Sequence, residues 1–167
     1  MSALLAVTPF FAILLYFYNK ISFEEIENHM SHFVVISAHA VFLFLLLLIR
    51  EMIKDLENLK GDLANNYHTI PVFYGESWSK RISTGLTVLT LVPVYILIEL
   101  YDVGYMDIYF YSSLIVLLFF LLLLWQSNNK THYIRLHNIL KFLIVAGVFC
   151  IVLINPSVLW HGKNWLL

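Results

Sequence analysis

Four of the chain's eleven acidic residues fall within twelve positions: Glu51, Asp55, Glu57 and Asp62. Glu51, Asp55, Asn58 and Asp62 are spaced i, i+4, i+7 and i+11. On a helix, at ~100° per residue, that spacing gathers their side chains into a stripe roughly 60° wide. A row of oxygen donors on one helix face suits a hard cation such as Mg²⁺, which takes one or two carboxylates and fills the rest of its shell with phosphates and waters. Arg50, Lys54 and Lys60 stand in the same stretch and could contact a polyanion there. The mixed charges equally suit an ordinary solvated helix extension, and spacing alone does not choose between the two.

The elements that must hold this row are apolar. Hydrophobic residues make up 60% of the 167 and charged residues only 13%, against ~25% charged in a soluble domain. Mean hydropathy is +0.80. At ~20 residues per crossing, the apolar stock corresponds to about five spanning helices, and the runs lie near 3–18, 33–49, 82–101, 108–125 and 139–158. All are expected to be helices, because an open strand cannot satisfy its backbone in hydrocarbon. Pro9 and Pro93 lie inside two of them, and Tyr16, Tyr18, Trp78, Tyr101, Trp125 and Trp160 gather near the ends as an interfacial belt would. The fold class expected is an all-α, multi-pass integral membrane protein.

Basic residues set the expected orientation. Of ten Lys and Arg, Arg50, Lys54, Lys60, Lys80 and Arg81 lie between the second and third spans, and Lys130, Arg135 and Lys141 around the fourth connection. Lys20 and Lys163 fall on the other side. That bias puts the 50–81 loop on the cytoplasmic side of the cytoplasmic membrane, with the Glu24, Glu25 and Glu27 loop and the C-terminus outside. The first basic residue is Lys20, so the opening apolar run lacks the positive start of a signal peptide. The expectation is that this is the later part of a longer polypeptide.

The run Arg50-Glu-x-x-Lys54-Asp55-Leu-Glu57-Asn58-x-x-Gly61-Asp62, followed by Thr69-Ile-Pro71-Val and Tyr74-Gly75, resembles the second aspartate-rich motif of the UbiA superfamily of intramembrane prenyltransferases. The detailed resemblance covers residues 50–75; elsewhere it rests on the pattern of spans, five of them matching the last five of that family's nine. It implies a partial prenyltransferase domain over 1–167. It also implies transfer of an isoprenoid chain from a prenyl diphosphate to a small-molecule acceptor. Asp55, Asn58, Asp62 and Glu51 would help hold Mg²⁺, with Asp55 and Asp62 the catalytic pair, and Lys54, Arg50 and Lys60 would bind the diphosphate. Tyr67 and His68 would cap it or merely pack at the interface. The form of the motif leans toward an acceptor like geranylgeranylglycerol phosphate, with an aromatic quinone precursor as the alternative. Asn58 stands where the family usually has an aspartate, and Lys60 where it often has an acid. The family's first motif, Asn-Asp-x-x-Asp, is nowhere in the chain, so the partner expected is the N-terminal half of the same enzyme.

Other classes fit less well. Net charge is −1, so no global basic field points to nucleic acid. Cys150 is the one cysteine and excludes an internal disulfide. The histidines (His29, His32, His39, His68, His132, His137 and His161) are scattered without a cysteine partner, which argues against a zinc site. Asn129-Lys-Thr131 has the form of a glycosylation acceptor but falls on the expected cytoplasmic side. A CDP-alcohol phosphotransferase would need Asp-Gly-x-x-Ala-Arg ahead of its acids, which is missing. A transporter fragment or non-catalytic membrane subunit would want ionisable residues in mid-span, where His39 is the clearest example and Lys141 sits near an end.

Overall fold

The run of good helix formers after Ile49 contains no proline before Pro71 and no glycine before Gly61, so nothing stops the second apolar run from continuing as helix. In the computed structural model, which describes residues 15, 23–100 and 106–150, it does continue. Helix α1 (Phe23–Ala64) is 42 residues long, or ~63 Å at 1.5 Å per residue. The hydrocarbon layer is ~30 Å thick, so α1 overreaches it. Glu24, Glu25 and Glu27, read from the sequence as a loop, instead lie within α1. The expected 50–81 loop is likewise helix on both sides of a short turn. Asn66, in the left-handed region at φ 55°, closes α1, and the Tyr67 N–H returns to the Asp62 carbonyl at 2.9 Å.

Helix α2 (Ile70–Leu89) starts after the extended Thr69, with Pro71 in its first turn. It kinks at Gly75, whose φ of 83° and ψ of 168° only glycine adopts without strain. Glu76 therefore opens what is in effect a second helical segment. Ser79, Ser83, Thr87 and Thr90 form a buried small-residue stripe along it, which lets neighbouring backbones come close. Pro93 cannot donate to the helix ladder, and here the chain passes into a short α3 (Leu91–Tyr95) and a π-helical turn over Ile96–Leu100. The third span is thus bent rather than straight.

Helices α4 (Met106–Gln126) and α5 (Lys130–Cys150) complete the described bundle. Among the described residues, four segments are long and apolar enough to cross a membrane: Val34–Ala64, Ile70–Leu100, Met106–Gln126 and Lys130–Cys150. The 3–18 run and residues 151–158 of the last run lie outside the described residues. No strand occurs among the described residues, and the protein is an all-α membrane protein. Helix α1 packs against both α2 and α5, burying Phe42, Leu46, Ile49, Ile53 and Leu56 against Phe110, Leu117, Phe120 and Leu124 of α4 and Leu136, Leu140 and Leu143 of α5. Phe42 meets the Phe110 ring edge-on at 5.7 Å. Outward, Ile108, Ile115, Leu118, Phe119 and Leu122 leave α4 apolar all round, the mark of a helix in lipid.

A candidate cation-binding face on helix α1

The acidic row sits on the last turns of α1, beyond the apolar stretch that ends at Ile49. Because α1 is continuous through Ala64, Glu51, Asp55, Asn58 and Asp62 do share one face. That face points away from the packed core. Ile53 is fully buried and stands ~160° around the helix from Asp55, whereas all four members of the row are only partly buried. Burial, together with the negative charges of Asp62 and Glu51, raises the Asp55 carboxyl above its ordinary value, and Lys54 opposes this. A carboxylate crowded by two others is one that a cation would relieve.

The row is not a finished cage. Among the described residues no three His, Cys, Asp or Glu side chains come together closely enough to hold a metal. Glu51 is already engaged, accepting from Arg50 Nη1 at 2.9 Å and lying 3.8 Å from Lys54 Nζ. The donors thus fit part of a Mg²⁺ shell: Asp55 and Asp62 as carboxylates and Asn58 as a carbonyl oxygen, with the remaining positions left to phosphate and water. Lys54 is exposed beside them. Lys60 stands ~140° from Asp55 and lines a cavity of about 300 Å³ that Asn58 of the row shares with Glu57, Glu76, Lys130 and Tyr133. Tyr67 and His68 are exposed, and His68 stacks on Phe73 at 5.2 Å.

Behind the row lies a polar junction that sequence reasoning missed. His137 Nδ1 donates to Glu57 Oε2 at 3.0 Å. Tyr133 donates its hydroxyl to Glu76 Oε1 at 2.6 Å, and Lys80 Nζ pairs with the same oxygen at 2.8 Å. Lys80 also donates to the Ser127 carbonyl at the α4–α5 turn. Burial works to raise the Glu76 carboxyl, but the bonds from Lys80 and Tyr133 outweigh it and hold it below its ordinary value. The available signal was two i, i+4 pairs, Glu76/Lys80 and Tyr133/His137, each placing its members on one helix face.

Comparison with known proteins bears on what this face is for. Over 64 residues the chain is 45% identical to the digeranylgeranylglyceryl phosphate synthase of Methanopyrus kandleri, covering 34% of this chain and 24% of that protein. It is 32% identical over 69 residues to the enzyme of the same name from Methanosphaera stadtmanae, covering 40% and 25%. A third, from Methanobrevibacter smithii, is 29% identical over 69 residues, covering 40% and 24%. The chain is related to the UbiA-superfamily prenyltransferases. It spans about a quarter of the length of the curated relatives it matches. No family model and no solved structure matches it. The UbiA relationship agrees with the resemblance carried by residues 50–75 and with the all-α membrane fold.

Proposed function

We propose that this chain contributes the second aspartate-rich face of a UbiA-type prenyltransferase. That enzyme would transfer an isoprenoid chain from its diphosphate to a glycerol-phosphate lipid precursor. The observation that carries the reading is the Asp55–Asn58–Asp62 face at the end of a membrane-spanning helix, in a chain related to digeranylgeranylglyceryl phosphate synthases. Asp55, Asn58 and Asp62 would hold Mg²⁺, with Glu51 recruited if it leaves Arg50. Bound there, the ion supplies Lewis-acid neutralisation of a diphosphate leaving group. Lys54 adds an exposed positive charge on the same segment, and Arg50 becomes available to the diphosphate if Glu51 turns to the metal. Lys60 would reach the phosphates only from the flank. The apolar core below Ile49 keeps water from the isoprenoid end.

The face looks outward from its own bundle, so donors for the opposite side of the diphosphate belong to helices beyond those described here. Positive-inside asymmetry favours placing residues 50–81 at the cytoplasmic surface. The test is release of inorganic diphosphate from geranylgeranyl diphosphate in the presence of magnesium and a geranylgeranylglycerol phosphate acceptor. The chain alone should release none. Co-expression with a segment carrying the Asn-Asp-x-x-Asp motif should restore turnover. Robust turnover by the isolated chain would overturn the half-site reading, and none from the assembled pair would overturn the activity.

A further inference from the structure

Residues 50–64 carry α1 past its apolar stretch, and a helix this short is marginal in water by itself. Asn58 and Gly61 are weak helix formers. Close packing of α1 on the core ends at Leu56. Among the described residues, one side-chain hydrogen bond ties 50–64 to another element: His137 to Glu57, 3.0 Å long, with side chains 11% and 18% exposed. A carboxylate only accepts, so Nδ1 carries the proton. Glu57 lies ~200° around the helix from Asp55. Holding Glu57 therefore fixes the direction in which the acidic row faces.

His137 is held in its turn. Tyr133, one turn earlier on α5, donates to Glu76 and lies 3.2 Å from the Ser127 carbonyl. Glu76 and Lys80 tie that point to α2, and Lys80 ties it to the α4–α5 turn. We propose that Glu57, His137 and Tyr133 are positioning residues that clamp the end of α1 from behind and set the phase of the Asp55, Asn58 and Asp62 donors. The structural half of this stands on the contacts alone; the consequence for magnesium rests on the prenyltransferase reading. Removing His137 leaves a largely buried carboxylate without its partner, a costly state. Fraying the last turns of α1 to hydrate Glu57 relieves it and scatters the donors.

The direct test is amide hydrogen exchange on the full chain in detergent micelles. In His137→Ala, amides 58–64 should exchange roughly tenfold faster or more, while amides 42–49 in the packed apolar part keep their rates. His137→Gln, whose amide can still donate to Glu57, should restore most of the protection. Glu57→Gln serves as the second variant if His137→Ala does not fold. It should loosen the turn less, because no bare charge is left. Unchanged exchange at 58–64, or equal loss at 42–49 in both variants, would overturn the clamp. In the chain assembled with the segment bearing the first acidic motif, His137→Ala should raise the half-saturating magnesium concentration several-fold, with a smaller change in maximal rate. Faster exchange with unaltered magnesium dependence would overturn the positioning role. If the wild-type assembly releases no diphosphate, the proposed activity fails, and the exchange result still decides the clamp.

Discussion

Asp55 stands under opposing demands: its neighbours Asp62 and Glu51 make it a good cation donor and an uncomfortable charge without one. Its carboxyl is raised in the folded chain. The folded state therefore binds a proton more readily than the unfolded one, and this group costs stability as pH climbs through the carboxylate range toward the folded value. Below the ordinary carboxylate value the cost vanishes. Asp55→Asn should accordingly raise the melting temperature of the metal-free chain at pH 7 by roughly 1–3 °C, a small step because the site is solvated. The gain should disappear in acid. Magnesium should raise the melting temperature of the wild type and leave Asp55→Asn unmoved. A lower melting temperature for the variant at pH 7 without metal would show that Asp55 makes a stabilising contact instead. Asp62→Asn should abolish turnover of the assembled enzyme, because it leaves Asp55 as the one carboxylate of the face not paired with Arg50. Glu57→Gln should raise the half-saturating magnesium concentration and leave some turnover.

Helices α1, α4 and α5 meet where Gly147 admits them. A Cβ there would lie 2.5 Å from the Tyr109 hydroxyl and 2.9 Å from Leu43 Cδ2, so Gly147→Ala must displace the Tyr109 ring, the Leu43 side chain or the helices that carry them. The expected cost is about 1–3 kcal/mol, read as a lowered melting temperature. Tyr109→Phe removes the hydroxyl that donates to the Leu143 carbonyl at 3.0 Å, and alone it should also destabilise. Combined, the two should cost less than their sum, since the deleted oxygen is the clashing atom. Strict additivity would place the strain at Leu43. The four described spans were legible as helices, since apolar runs of this length leave few other structures in lipid. So was the phase of the acidic row, because helical spacing is fixed wherever the helix continues. The Gly75 kink and the π-helical turn after Pro93 were not legible: both depend on which carbonyls find other partners. The Glu57–His137 pair was invisible for a similar reason. Its members are eighty positions apart, and only the packing of α5 on α1 brings them together.

Among the described residues the acidic face looks outward, on a helix twice as long as the hydrocarbon is thick. Where such a helix crosses the membrane, its two ends lie on opposite sides. Glu25 and Lys60 are thirty-five positions apart on α1, or ~52 Å, and the apolar residues 33–49 lie between them. Basic residues gather at one end of the bundle: Lys54 and Lys60 on α1, Lys80 and Arg81 on α2, and Lys130 and Arg135 on α5; by the positive-inside rule we propose that this end lies at the cytoplasmic face. A diphosphate made in the cytosol would then meet the row without crossing the bilayer. Replacing Cys150 with Ser leaves a background without thiols, into which a single cysteine can be placed at Lys60 or at Glu25. A membrane-impermeant maleimide applied to intact cells should label Glu25→Cys and spare Lys60→Cys; inverted vesicles should reverse the pattern. Labelling of both positions from one side would mean that α1 does not cross, and would remove the acidic row from the membrane surface at which the proposed chemistry takes place.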